Sequence, residues 1–231
     1  MSLKDLKENL AYSCNILALE GHGDNIFGHV SVRIPKQDKI LIKPQGFGFE
    51  EIRPNHPIVC NLEGKKIEGK YDRHSEVFIH TEIYKARPDV NCVVHTHPIY
   101  ATAFGSLRQT LRTISHDGSL FYDGLPLFDY TTALIRTPEL GREVAKTLGN
   151  HRGVLMKNHG IAVAADSIQA ATLYAVSLEK AARIQLLAMA SGEPSWSSDE
   201  EAKLKYEQVY VTRVDVLWDY FVRRARKAQR S

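Results

Sequence analysis

Short apolar runs and stretches of helical periodicity alternate along most of the chain. The runs at residues 30–34 and 161–163 are typical of strands, and turn-forming residues flank them. Apolar spacing predicts helices over residues 3–20 and 75–87, and a longer helix capped by Asp166. Because helices and strands are interleaved without a division into two halves, we expect one α/β domain with a central mixed or antiparallel sheet and helices on its faces.

The C-terminal part of the chain is the one place where a boundary is indicated. Residues 193–199 are linker-like, and residues 199–229 predict a final amphipathic helix. We therefore expect a domain over residues 1–195. The segment 196–231 should form a C-terminal helix that belongs to the same domain or to an interface.

Composition and charge exclude several classes of protein. The chain is 43% hydrophobic and 25% charged, which is too apolar for a wholly disordered chain. No apolar run is long enough for a membrane helix and the N-terminus has no signal core, so we expect a cytoplasmic protein without a membrane partner. The net charge of +3 is concentrated after Asp219, so a nucleic-acid-binding surface is not indicated either.

The placement of the histidines is the strongest chemical signal. His95 and His97 stand two residues apart at the end of a predicted strand, so their side chains point to the same face. His159 lies at the end of a second predicted strand. Three imidazoles can hold one divalent metal ion with open positions, as in a catalytic site, although histidines can also serve packing alone. Glu76, which opens a predicted helix, could ligate the ion or move a proton, or could simply favour the helix N-terminus.

Several motifs, in order, resemble the class II aldolase/adducin family, and the resemblance covers about residues 5–195. It implies a three-layer α/β/α sandwich around a nine-stranded, mixed and mainly antiparallel sheet. It also implies a homotetramer with fourfold symmetry and sites at subunit interfaces. The motifs lie at residues 30–33, 42–46, 75–76, 86–90, 93–98, 137–140 and 157–160.

The resemblance also implies a cofactor and a reaction. His95, His97 and His159 match the family's metal-binding histidines, and Glu76 matches the acidic residue that ligates the metal or acts as acid and base. One divalent ion per chain is expected, commonly zinc, with manganese and iron as alternatives. The implied chemistry is cleavage of a carbon–carbon bond through an enolate that the metal stabilises.

The departures from the family pattern point to a particular substrate class. Where the sugar-phosphate aldolases of the family bind phosphate, this chain has His29, Gly46 after Gln45, and Ser75 after His74. Imidazole N–H groups suit a carboxylate, and a lysine can add charge. The predicted substrate-binding residues are therefore His29, Lys43, Gly46, His74 and Ser75.

The same departures lead to a predicted reaction. The aldolases' tyrosine proton donor is replaced by a segment with His116, which together with Glu76 is a candidate proton donor. We expect a decarboxylase of a hydroxylated carboxylic acid, with aromatic and heteroaromatic acids as candidates. The alternatives are an aldolase for a sugar phosphate or related hydroxy-carbonyl compound, an epimerase, an iron oxygenase, and a non-catalytic adducin-like binding module.

Overall fold

The structure is a computed structural model, and it describes residues 2–229. Within them the chain forms seven α-helices. Their bounds are α1 Leu3–Leu17, α2 Val77–Ala86, α3 Ile99–Ser106, α4 Pro138–Leu148, α5 Ile168–Ser191, α6 Asp199–Val209 and α7 Val214–Ala228. Two 3₁₀ turns, Phe49–Glu51 and Asp117–Phe121, and a π turn, Ala18–His22, complete the helical elements.

Eight strands in the described residues form one sheet in the order β4-β3-β2-β1-β5-β8-β7-β6. All neighbours are antiparallel except β6 and β7. The strands are β1 His29–Arg33, β2 Lys39–Ile42, β3 Ile58–Asn61, β4 Lys66–Glu68, β5 Cys92–Thr96, β6 Leu127–Phe128, β7 Gly153–Met156 and β8 Gly160–Ala165.

Two apolar layers cover the two faces of this sheet. Helices α1, α3, α5 and α7 pack on one face, and α2 and α4 pack on the other. Successive strand residues alternate between the layers, so that Val94 joins the first cluster and Val93 the second. The central strands are therefore apolar on both faces, as expected for a sheet that helices cover on both sides.

The architecture confirms the predicted three-layer α/β/α sandwich with a mixed, mainly antiparallel sheet. The described residues contain eight strands, one fewer than the resemblance implies. Between α3 and β6 the chain turns through the 3₁₀ segment at Asp117–Phe121 and adds no strand to the sheet.

Two local predictions at helix ends were wrong. The long helix α5 is capped by Ser167, whose hydroxyl accepts from the amide of Ala170, and not by Asp166. The predicted helix over 199–229 is two helices, α6 and α7, with a turn at 210–213. The β-branched Val211 and Thr212 weaken helix at that turn, where Tyr210 packs into the core.

The C-terminal helix α7 packs against α1 and α5, and Trp218 and Phe221 enter the same core cluster as those helices. The proposed boundary after residue 195 stays a prediction. The last residues of the segment 196–231, namely 230–231, lie outside the described part of the chain, as does Met1. No helix among residues 2–229 is both long and apolar enough to cross a membrane.

Candidate active site

Three neighbouring strands bring the predicted site residues to one edge of the sheet. β1 begins with His29, which pairs in register with His95 near the end of the antiparallel β5. Thr96 of β5 pairs with Ile161 of β8, so His159 lies just before the start of β8, at the same edge. The antiparallel order of these strands thus joins residues that are far apart in the sequence.

His95 and His97 turn their Nε2 atoms toward each other. The Nδ1 of His95 donates to the carbonyl of Ile161 at 2.9 Å, and the Nδ1 of His97 donates to Asp24 Oδ2 at 3.0 Å. Both Nε2 atoms are therefore unprotonated in the neutral rings, yet they lie only 3.1 Å apart. Two lone pairs at this distance repel unless a cation or a proton lies between them.

His159 completes the group of imidazoles. Its buried Nε2 has no hydrogen-bond partner among residues 2–229. One ligand atom from each of His95, His97 and His159 lies within 4.8 Å of the others. Three free imidazole nitrogens, two of them oriented by an oxygen acceptor behind the ring, fit a divalent first-row metal ion with open positions.

A glycine makes the close approach of these strands possible. At Gly160 an added Cβ would lie 2.4 Å from the carbonyl oxygen of Thr96 and 2.7 Å from Cδ2 of His97. Asn158 before it has a positive φ of 53°. A side chain at position 160 would therefore displace His97 from the group.

Glu76 lies beside the imidazoles as an ionised carboxylate. It occupies the N-cap position of α2, and its side chain makes no capping hydrogen bond there. Its Oε1 accepts from the amide of Ile135 at 2.7 Å and lies 3.5 Å from His159 Nε2. Burial raises the pKa of Glu76, but His159 and the Ile135 amide outweigh it, so the pKa is below its usual value. Glu76 can therefore ligate an ion or accept a proton.

A cavity of about 520 Å³ opens above this group. His29 and His74, with ring centroids 4.5 Å apart, form part of its wall. Burial lowers the pKa of His74 to about 3, and burial also places the pKa of His29 well below its usual value. Both rings are neutral at pH 7, and the Nε2 of His74 donates its proton to the carbonyl of Pro44 at 3.1 Å. The predicted site residues that line the cavity are His29, His74, Ser75, Glu76, His97 and His159.

Lys43 and Gly46 do not line the cavity. The side chain of Lys43 is fully buried, and its Nζ donates to the carbonyl of Ile26 at 3.2 Å and lies 3.4 Å from His74 Nε2. Burial lowers the pKa of Lys43 to about 8. Lys43 thus contacts the cavity wall from behind, through His74 and the carbonyl of Ile26. Gly46 has a positive φ of 87° and shapes the turn from which Gln45 enters the cavity wall.

His116 is not brought to this cavity by its own chain. It is exposed and occupies the N-cap position of the 3₁₀ turn at Asp117–Phe121, without a side-chain capping bond. The neighbouring Asp117 is held on α5 by Ser177 at 2.8 Å and by Tyr210, which fixes the turn away from the histidines. The prediction that His116 donates a proton finds no support within one chain, and it depends on the expected assembly.

Sequence reasoning missed several groups around the site. Asp24 orients His97, and the exposed Arg136 lines the cavity. His80, which no sequence pattern singled out, is fully buried against His29. Asp24 stands in a loop without secondary structure, so no periodicity could have pointed to it.

The protein is thus an α/β/α sandwich with a candidate catalytic metal site at one edge of its sheet. Three metal-competent imidazoles and a carboxylate form that site. The chain matches the model of the Class II Aldolase and Adducin N-terminal domain over residues 8–186, and it belongs to that family.

The proteins to which this chain is similar include decarboxylases and aldolases. The chain is 32% identical over 189 residues to the decarboxylase NovR of Streptomyces niveus, covering 80% of this chain and 70% of that protein. It is 31% identical over 199 residues to the 3,4-dihydroxyphthalate decarboxylase of Arthrobacter keyseri, covering 80% and 79%.

Among solved structures, the L-fuculose 1-phosphate aldolase of Glaciozyma antarctica PI12 matches with a TM-score of 0.86 and 26% identity, covering 98% of this chain and 90% of that chain. Decarboxylases and aldolases both break carbon–carbon bonds, so the comparisons support a lyase that acts on a small molecule.

Proposed function

We propose that this chain is a metal-dependent carbon–carbon lyase that decarboxylates a hydroxylated carboxylic acid, with aromatic and heteroaromatic acids as the leading candidates. The observation that carries the proposal is the joint placement, around one cavity, of three metal-competent imidazoles and two neutral histidines, His29 and His74. In the sugar-phosphate aldolases of the family, the positions of His29 and His74 carry small phosphate-binding side chains.

His95, His97 and His159 would hold the divalent ion, for which zinc, manganese and iron are the candidates. The ion would supply a Lewis acid where negative charge develops on a substrate oxygen. The supporting geometry is the set of free nitrogens within 4.8 Å of one another.

Glu76 is the group that moves the proton. As a carboxylate it accepts the proton of the substrate hydroxyl, and it returns this proton to the carbon that loses the carboxyl group. Carbon dioxide leaves, and the electron pair of the broken bond stays on the substrate, where the neighbouring oxygen delocalises it. The bond from the Ile135 amide holds Glu76 in place during both transfers.

Recognition of the acid depends on the walls of the cavity. An N–H group of His29 and the guanidinium of Arg136 can donate to a carboxylate. On the rim, Ile26 and Phe27 are 42% and 54% exposed and supply apolar surface for a flat ring. A cavity of about 520 Å³ has room for a single-ring acid.

An aldolase acting on a sugar phosphate or a related hydroxy-carbonyl compound is the second candidate. Two observations favour it, namely the similarity to an L-fuculose 1-phosphate aldolase and the retention of Gly46 and Ser75. The imidazole chemistry of the cavity is common to both reactions, so only the products separate them.

A homotetramer is part of the proposal. Ile99, two residues after His97, is 75% exposed, which is unusual for a large apolar side chain and leaves it available to a second copy beside the cavity. Light scattering of the purified protein should give a mass about four times 26.0 kDa. A monomer that retains full activity would contradict this assembly.

The test of the reaction is a product assay with the metal-loaded protein and a His97→Ala control. Hydroxybenzoates and 3,4-dihydroxyphthalate are offered as acids, and L-fuculose 1-phosphate is offered as the aldol substrate. Carbon dioxide released from an acid by the parent protein, and not by the control, is the expected result. Aldehyde formed from the sugar phosphate, with no carbon dioxide from any acid, would overturn the decarboxylase in favour of the aldolase.

A further inference from the structure

A chain of buried hydrogen bonds runs from the cavity wall into the interior. His29 Nδ1 lies 2.6 Å from Nε2 of His80, whose Nδ1 lies 2.6 Å from the hydroxyl of Ser31. That hydroxyl lies 2.8 Å from the hydroxyl of Tyr84. All four side chains are at most 2% exposed, so water does not compete for these bonds. We refer to His80, Ser31 and Tyr84 as the buried chain.

The far end of the buried chain sets the direction of its protons. The Tyr84 hydroxyl has two acceptors, the Ser31 oxygen at 2.8 Å and the Asn91 carbonyl at 3.5 Å. A hydroxyl bond at 3.5 Å is too long to contribute much, so Tyr84 donates to Ser31. Ser31 then has its own proton free for His80 Nδ1, and His80 donates from Nε2 to His29 Nδ1.

The opposite direction leaves a donor without a good partner. If His29 donated to His80 and His80 to Ser31, Ser31 would donate to Tyr84, whose proton would face only the distant Asn91 carbonyl. A buried donor without a partner costs free energy that the first arrangement avoids. Burial lowers the pKa of both histidines and raises that of Tyr84, so each imidazole carries one proton and Tyr84 keeps its own.

We infer that His80, Ser31 and Tyr84 are positioning residues that hold His29 in the tautomer with its proton on Nε2. A ring nitrogen of His29 lies within 4.8 Å of ligand atoms of Glu76 and His95, a group whose spacing alone would also suit an ion. In this tautomer Nδ1 accepts from His80 and Nε2 carries a proton, so neither nitrogen can bind a metal. The buried chain therefore keeps His29 out of the metal site.

The consequence for recognition rests on the proposed function. Because Nδ1 is occupied, the nitrogen that His29 offers to the cavity is an N–H donor. Such a donor suits the carboxylate of an acid and cannot act as a base. The assignment of the tautomer itself does not depend on which reaction the protein catalyses.

The test is nitrogen NMR of the full-length protein labelled with ¹⁵N-histidine, with His29→Asn used to assign the His29 signals. We expect a protonated Nε2 and an unprotonated Nδ1 at His29, both without metal and with zinc. A protonated Nδ1 in the parent protein, or a zinc-dependent shift showing that His29 binds the ion, would overturn the inference. This measurement needs no substrate, so its failure is distinguishable from failure of the proposed function.

Ser31→Ala tests the buried chain, and Ser13→Ala is the matched control. Ser13 is also fully buried, and it loses an equivalent hydroxyl bond, to Thr172 at 2.7 Å, between α1 and α5. Ser31→Ala should populate both tautomers of His29 and lower kcat/KM for the acid about tenfold, with the zinc content unchanged. Ser13→Ala should keep the single tautomer. A single Nε2-protonated form in Ser31→Ala would show that the buried chain does not set the tautomer, and if that variant does not fold, the spectrum of the parent protein decides.

Discussion

Helix α5 buries Glu179 and Gln185 about as deeply as the sheet edge buries its histidines, but the two regions treat their polar atoms differently. The Glu179 carboxylate accepts from the amides of Tyr100 and Ala101, at 3.0 and 2.7 Å. The Gln185 amide accepts from the Arg112 amide and donates to the carbonyl of Thr110. Both side chains of α5 thus have firm partners, which tie the first turn of α3 and the loop after α3 to the helix.

At the sheet edge the pattern is reversed. The Nε2 atoms of His95 and His97 face each other as lone pairs, and that of His159 has no hydrogen-bond partner among residues 2–229. Buried polar atoms are normally satisfied, so atoms left open in this way mark a place where something else binds. Burial alone therefore does not separate a structural polar residue from a functional one, whereas the presence or absence of hydrogen-bond partners does.

The largest expected effect is that of His97→Ala. Losing an imidazole ligand should lower lyase activity by more than about 100-fold, the upper range for losing a mere supporting partner. Without metal the free energy of unfolding should change by less than about 1 kcal/mol, because His97 lies at the surface of the site and its Nε2 is unsatisfied. Product assays and urea titrations check both parts. If His97→Ala lowered the free energy of unfolding by well over about 1 kcal/mol, His97 would be a structural residue like Glu179 and Gln185 of α5.

Acid should weaken the metal-free protein through the histidine region. Burial lowers the pKa of His22, His74 and His80 to about 3, against about 6.5 for the unfolded chain. Between these values the unfolded state binds more protons, so stability falls as the pH falls below 6.5. Each of the three contributes about 1.4 kcal/mol per pH unit. Urea midpoints measured from neutral to mildly acidic pH test this, and a flat profile would show that these rings are solvated.

Glu76→Gln separates proton transfer from metal binding. The amide keeps the shape of the side chain but cannot accept and return a proton, so turnover should fall about 100-fold while most of the metal stays bound. Both kcat and metal content are measured on the same preparation of Glu76→Gln and compared with those of the parent protein. Turnover at the parent rate would show that Glu76 does not move the proton, and loss of the metal would make it chiefly a ligand.

Gln185→Ala is the corresponding change in the satisfied region. It leaves the Arg112 amide and the Thr110 carbonyl without their side-chain partner and should cost about 2 kcal/mol of unfolding free energy. Metal content and activity should be unchanged at temperatures where the variant is folded. A drop in bound metal would show that the two regions are coupled.

The helices and the sheet between them could be predicted from the sequence, because the spacing of apolar residues along a helix or strand follows the face that is buried. Helix ends were harder to predict because tertiary packing also determines them. At the turn after α6, for example, Tyr210 packs into the core. The grouping of His95, His97 and His159 could be predicted because strand geometry places residues two apart on one face and the family motifs are short runs of neighbouring residues. The contact of His29 with His80 joins residues 51 positions apart on different elements, so no local pattern could reveal it.

Two predicted residues show what else a sequence leaves open. Lys43 follows a strand at a motif position, yet its side chain is buried behind His74, because its ammonium can donate to the backbone carbonyls of Ile26 and Pro44. His116 sits in a turn whose direction is set by the anchoring of Asp117 on α5. Both outcomes depend on tertiary contacts made by other residues.

The most direct test of a catalytic metal site is the metal content per chain, measured by plasma mass spectrometry on the parent protein beside His97→Ala and Gln185→Ala. We predict about one zinc, manganese or iron per chain in the parent and in Gln185→Ala, and almost none in His97→Ala. No bound metal in the parent protein, even after reconstitution, would contradict it and leave the histidines as structural residues.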